Sequence, residues 1–164
     1  MSPHNDDTRP VEPGADNGWC REHAMRLAHS FQSLLGRPLL GHSASDEALP
    51  RLLYDAPFVL VSHGLEDDPV FNYANAAAQS LFELTWHEFV RLESRYSAES
   101  PEQAAREKFM QQVREKSFVD DYTGVRISST GNRFTIDHAI VWNVIDGNGV
   151  LHGQAATFKN WTAL

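Results

Sequence analysis

The sequence predicts an α+β fold: five strands, with a block of helices between the second and the third, behind an N-terminal helical extension. Three observations carry that expectation. Apolar spacing switches from helical to extended after Pro57, capping signals open three helices between residues 75 and 117, and three extended runs joined by tight turns fill the C-terminal third.

Residues 1–18 hold three prolines, two glycines and four acids, with Val11 as their one large aliphatic, so they are expected to form a disordered leader. From Trp19 the pattern turns helical, with Cys20, Ala24, Leu27, Ala28, Phe31, Leu34 and Leu35 at three- and four-residue spacings and Gly36 and Pro38 as a stop. A short helix from Ser45 to Asp55 completes an extension over residues 19–56. Residues 57–164 form the main domain. Its first strands are Phe58–Val61 and Val70–Tyr73. Asn75 caps an alanine-rich helix to Leu84, Thr85 and Glu88 make a capping box with Leu84 and Phe89 as staple, and Ser100-Pro101-Glu102-Gln103 opens a helix to Ser117. Phe118–Ile127, Arg133–Ile145 and Val150–Phe158 follow as strands whose short turns require antiparallel pairing.

The 164 residues are 41% hydrophobic, and 22 acids outweigh 14 bases for a charge of −8. The imbalance is spread along the chain: five bases face seven acids in residues 1–54, and nine face fifteen in 55–164. No basic patch suits a phosphate backbone, so direct nucleic-acid binding is not expected. No 18-residue apolar run spans a membrane, and the acidic N-terminus is unlike a signal peptide, which places the chain in the cytoplasm as an expectation. Cys20 is the sole cysteine, which excludes intramolecular disulfides and multi-cysteine metal sites.

Two strands, a helical block and a three-stranded meander resemble the PAS layout, a five-stranded antiparallel sheet whose helices cover one face and enclose a small cavity. Residues 70–78 followed by Leu81-Phe82-Glu83-Leu84-Thr85-Trp86-His87-Glu88-Phe89 carry the likeness. More closely, Ser62-His63-Gly64, residues 68–75, residues 120–128, Val141-Trp142-Asn143 and residues 153–158 are similar to the MEKHLA family, a PAS-related domain of small bacterial proteins and of some plant homeodomain transcription factors. The resemblance covers about residues 20–160. It implies a small-molecule-sensing or protein-interaction module without catalytic activity. The chain has no homeodomain, zipper heptad or basic region, so the plant proteins' DNA binding does not carry over.

A hairpin centred near Asn148 sets His138 opposite Phe158, Ile140 opposite Ala156, Trp142 opposite Gln154 and Val144 opposite His152, on one face with Phe134 and Ile136. The expected ligand pocket joins Asn75, Phe82, Trp86, Phe89, Phe109 and Val113 of the helical block to Tyr122, His138, Ile140, Trp142 and Gln154 of the strands. The alternative at His138 and Gln154 is a hydrogen-bonded core with no ligand, and the alternative function is a small-molecule enzyme with His138 as general base. Neighbouring Asp137 and His138 point to opposite faces of a strand, which excludes a direct relay between them. No cofactor is expected. The PAS resemblance implies a cysteine in the helical block for a flavin adduct and a histidine in the later helices for haem; residues 74–117 contain no cysteine and residues 101–117 no histidine. The histidine spacings make no metal-binding pair. The stripe of Leu27, Phe31, Leu34 and Leu35 is read either as packing on its own sheet or as a homodimer contact.

Overall fold

A computed structural model describes residues 9–164, apart from the side chains of residues 100–102. One antiparallel sheet organises it, from β1 (Val59–His63), β2 (Phe71–Ala74), β3 (Phe118–Ile127), β4 (Arg133–Ile145), β5 (Leu151–Phe158) and β6 (Asn160–Ala163). The strand order is β2-β1-β5-β4-β3, with β6 also paired to β4. The sixth strand is an addition to the sequence reading. It continues β5 past Lys159 and pairs with the first half of β4, Phe134 to Asp137, where β5 has already ended. Four exposed residues with one aromatic among them carry no alternation that marks a strand.

The helices are α1 (Arg21–Leu35), α2 (Leu49–Tyr54), α3 (Ala76–Phe82), α4 (Trp86–Phe89) and α5 (Ser100–Lys116). The capping box of α4 forms in full: the Glu88 amide donates to Thr85 Oγ1, and the Thr85 amide donates to Glu88 Oε1. At α5 the N-cap is Glu99, one residue before the expected Ser100, and its side chain makes no capping hydrogen bond. The Ser100, Pro101 and Glu102 side chains lie outside the described residues.

Two compensating bulges and a third in the next hairpin decide which side chains face which layer. Asp121 and His138 both adopt left-handed backbone angles, φ +62° and +54°. They add one residue to β3 and then one to β4, so the register before and after is the same. Beyond His138 the faces of β4 invert. Phe134 and Ile136 share the face of Ala139 and Val141, while Trp142 and Val144 turn to the opposite side. The third bulge, at His152, sets Trp142 opposite Ala155 and Asn143 opposite Gln154, one step from the expected pairing. Gly153 permits the tight approach beside it, since a Cβ there would run into the carbonyl oxygen of His63.

Two buried clusters flank the sheet. On one face α1 lays Ala24, Leu27, Ala28 and Phe31 against Leu60, Trp142 and Val144. Phe31 meets Trp142 edge-on at 5.0 Å, and the indole Nε1 donates to Ser30 Oγ at 3.0 Å. The stripe of Leu27, Phe31, Leu34 and Leu35 thus packs on its own sheet, and the 19–56 extension shares one core with the strands. On the other face Phe71, Phe82, Phe89 and Phe134 form a chain of edge-on rings.

Residues 1–8 of the expected leader lie outside the described residues, but residues 10–18 depart from it. The Pro10 carbonyl accepts from Trp86 Nε1 at 2.9 Å, and Asn17 bonds Gly14, Cys20 and Glu12. Polar side-chain turns supply here the order that apolar content could not.

Candidate functional site

Between the sheet and α3, α5 and the 3-10 turn Ser94–Ser97 lies a cavity of about 50 Å3, on a measure in which one water takes roughly 10–15 Å3. Val61, Phe71, Phe82, Ile136, Val141 and Phe158 make its apolar walls. His63, Arg106, Tyr122, Arg126 and Gln154 supply its polar groups.

Each polar residue is placed by a local device. Arg106 shares the inward stripe of α5 with Met110 and Val113, at spacings of four and three. Tyr122, Gly124 and Arg126 alternate on the inner side of β3 once the bulge at Asp121 has passed. Gln154 follows the bulge at His152. Its Nε2 donates to the Met110 carbonyl at 2.9 Å and to Asn143 Oδ1 at 3.3 Å, and Asn143 Nδ2 donates to the Arg114 carbonyl at 3.0 Å. Polar bonds therefore tie α5 to the sheet, together with the stack of Phe109 on Tyr122, whose centroids lie 3.9 Å apart.

The electrostatics are lopsided. Arg106 is 6% exposed and Arg126 7%, and no ion pair to a carboxylate forms at either among the described residues. The Arg106 Nε is buried with no hydrogen-bond partner among the described residues. Arg126 donates to its neighbour's carbonyl at Val125 and, at 3.3 Å, to the Tyr122 hydroxyl, with its guanidinium 5.6 Å from that ring. Burial, then the nearby Arg126 charge, lowers the Arg106 pKa to about 10, so it remains a cation at neutral pH. Burial also lowers His63 to about 4, with the Arg106 and Arg114 charges adding to it. His63 Nδ1 bonds the Gly64 carbonyl at 3.0 Å, which fixes a neutral Nδ1–H tautomer with Nε2 as acceptor.

Of the sequence-expected pocket residues, Phe82, Tyr122 and Gln154 line the cavity. Asn75 does not. Its side chain is fully engaged as a clamp, accepting from the Leu60 and Ala78 amides and donating to the Leu53 and Phe58 carbonyls. Phe89 backs the wall through Phe71 and Phe82, Val113 is buried off the lining, and Phe109 sits behind Tyr122. Trp86 packs edge-on against Tyr73. Ile140 and Trp142 belong to the α1 face because of the inversion at His138. His138 itself is exposed, 74% by its side chain, and pairs through Nδ1 with Asp121, so it is no general base in the cavity. The two arginines were missed. Their signal was an arginine at helical spacing from Met110 and Val113, and another at strand spacing from Tyr122.

A second polar chain crosses the other face. His23 Nε2 lies 2.9 Å from Ser62 Oγ, which donates to Asn72 Oδ1 at 2.5 Å. With the serine proton committed to Asn72, His23 Nε2 donates rather than accepts, the reverse of what nucleophile activation requires. His23, His63 and His152 border one cleft, and no metal-binding cluster forms among the described residues.

The MEKHLA domain model matches residues 21–163. The chain belongs to the MEKHLA domain family. Among its relatives, the homeobox-leucine zipper protein REVOLUTA of Arabidopsis thaliana is 27% identical over 147 residues, and HOX10 of Oryza sativa is 26% identical over 140. Each match covers 85% of this chain but 17% of the relative, so the MEKHLA region is a small part of those proteins. Among solved structures, a PAS domain from Colwellia psychrerythraea superposes with a TM-score of 0.58 at 8% identity, over 70% of this chain and 92% of that one. A light-oxygen-voltage domain gives 0.56 at 17% identity, over 71% and 84%. The MEKHLA chain thus has the PAS fold over about 70% of its length.

Proposed function

We propose that this chain is a ligand-responsive PAS-fold module without catalytic activity, in which occupancy of the cavity repositions α5. One observation carries the reading: the polar groups that anchor α5 to the sheet, Gln154 and the Phe109–Tyr122 stack, are the cavity's own wall or lie directly behind it. A molecule entering that space competes with the contacts that hold the helix. The signal has a route across the sheet, because Ser62 borders the cavity and its hydroxyl holds His23 of α1.

The cavity's size supports a ligand much smaller than a flavin or haem, and Cys20 stands outside it, its thiol donating to the Val11 carbonyl at 3.2 Å. The fungal photoreceptor Vivid, whose light-state dimer has been solved, superposes with a TM-score of 0.51 over 63% of this chain at 16% identity. A homodimer of this chain would need a surface other than the α1 stripe, which is occupied. No helix among the described residues is long and apolar enough to cross a membrane. Native mass spectrometry of protein purified from its own host tests the reading. A small-molecule adduct that disappears on gentle activation, together with altered amide exchange in α5 once it is removed, is the expected result. Identical exchange in α5 with and without the adduct would contradict it.

A further inference from the structure

We propose that the cavity takes a small carboxylate with a short apolar tail, its carboxyl group held by Arg106 and Arg126. This deepens the ligand-responsive reading and rests on it.

Two arginines border one cavity, exposed by only 6% and 7% as whole residues, and no carboxylate pairs with either among the described residues. Placing one buried cation without a counter-ion is costly, and placing two side by side adds repulsion to desolvation. Arginine cannot escape by losing its proton at neutral pH. Four acids, Glu66, Asp67, Glu107 and Glu115, border the open groove on the far side of Arg106 and are absent from the cavity lining. The remaining polar neighbours do not supply negative charge: His63 is neutral, the Gln154 amide donates to protein acceptors, and the Tyr122 hydroxyl already accepts from Arg126. The unpartnered Arg106 Nε is a donor awaiting an acceptor.

The planar fork of a guanidinium matches a carboxylate or another oxyanion in two parallel bonds. The walls choose between them. Val61, Phe71, Phe82, Ile136, Val141 and Phe158 offer nothing to the bare oxygens of sulfate or phosphate but cover a hydrocarbon tail well. The cavity volume limits that tail to a few carbons.

The test uses the full chain, refolded from denaturant to strip any retained molecule, with acetate, propionate and butyrate at about 10 mM, their neutral amides, and sulfate at matched ionic strength, read as thermal stabilisation. The acids are expected to raise Tm, increasingly from acetate to butyrate, while amides and sulfate leave it unchanged. R126Q and R106Q are each expected to weaken butyrate binding by at least about tenfold, with R106K intermediate as a folded control of altered fork geometry. Stabilisation by amides equal to that by acids would overturn the carboxylate assignment and leave the ligand-responsive reading standing. Equal stabilisation by sulfate would overturn the organic acid in favour of a simple anion site. No shift with any compound would overturn the carboxylate assignment, and the ligand-responsive reading would then stand or fall on the α5 exchange measurement.

Discussion

The two faces of the sheet are built on opposite principles. The α1 face is aromatic and close-packed at its centre, where Trp142, Phe31 and Leu27 interlock and Ser30 satisfies the indole N–H, and the polar chain from His23 through Ser62 to Asn72 crosses the same face. The α5 face keeps a cavity, two buried cations with no carboxylate partner among the described residues, and a helix tied to the sheet by amide side chains, one ring stack and the buried Val113. Close packing fixes a single arrangement, whereas a hydrogen-bonded seam over a void leaves an element able to open locally. The proposed function places stability on one side of the sheet and responsiveness on the other.

Truncation at the heart of the first face should have the largest effect. Trp142→Ala removes a fully buried ring and its hydrogen bond, and urea unfolding should show a loss of about 3–5 kcal/mol. Acidification probes both faces at once. Burial holds His23 on the α1 side and His63 on the cavity side at a pKa of about 4, below the ordinary value of 6.5. The unfolded chain therefore binds the extra protons between those values. Stability is full above about pH 6.5, falls as pH drops toward 4 and levels off below it, by on the order of 3 kcal/mol for each histidine and about 7 kcal/mol for the two together. His23→Gln and His63→Asn should each flatten that pH dependence, and a single variant that abolishes it would place the whole effect on one face.

Phe109→Ala should cost about 1 kcal/mol, because the ring is half-buried and loses mainly its stack on Tyr122. A loss as large as that of Trp142→Ala would show that α5 is packed as firmly as α1. His138→Asn should change stability by less than about 0.5 kcal/mol, since the side chain is exposed and asparagine tolerates the left-handed backbone. Thermal unfolding of the two variants side by side measures both effects.

The element order was legible because each element carries its own local signal: the α1 stripe, the Thr85–Glu88 box, and the turns at Gly131 and Gly149. The faces of β4 were not. They depend on His138, Asp121 and His152 leaving the ladder, and none is a glycine or proline that would announce a bulge. Gln154 was legible because it shares an unbroken alternation with Ala156 and Phe158 on β5, whereas the bulge at His138 separates Ile140 and Trp142 from Phe134 and Ile136 and turns them to the other side. Arg106 and Arg126 escaped for a different reason. Arginine is usually a surface residue, and a buried unpaired pair is visible only when two distant segments are brought together.

Amide hydrogen exchange across the two covering helices tests the contrast most directly. In the free protein, α5 amides should exchange at least about tenfold faster than those of α1, and butyrate should slow α5 while leaving α1 unchanged. Equal protection of the two helices, unaltered by butyrate, would contradict the division of the molecule into a static and a responsive face.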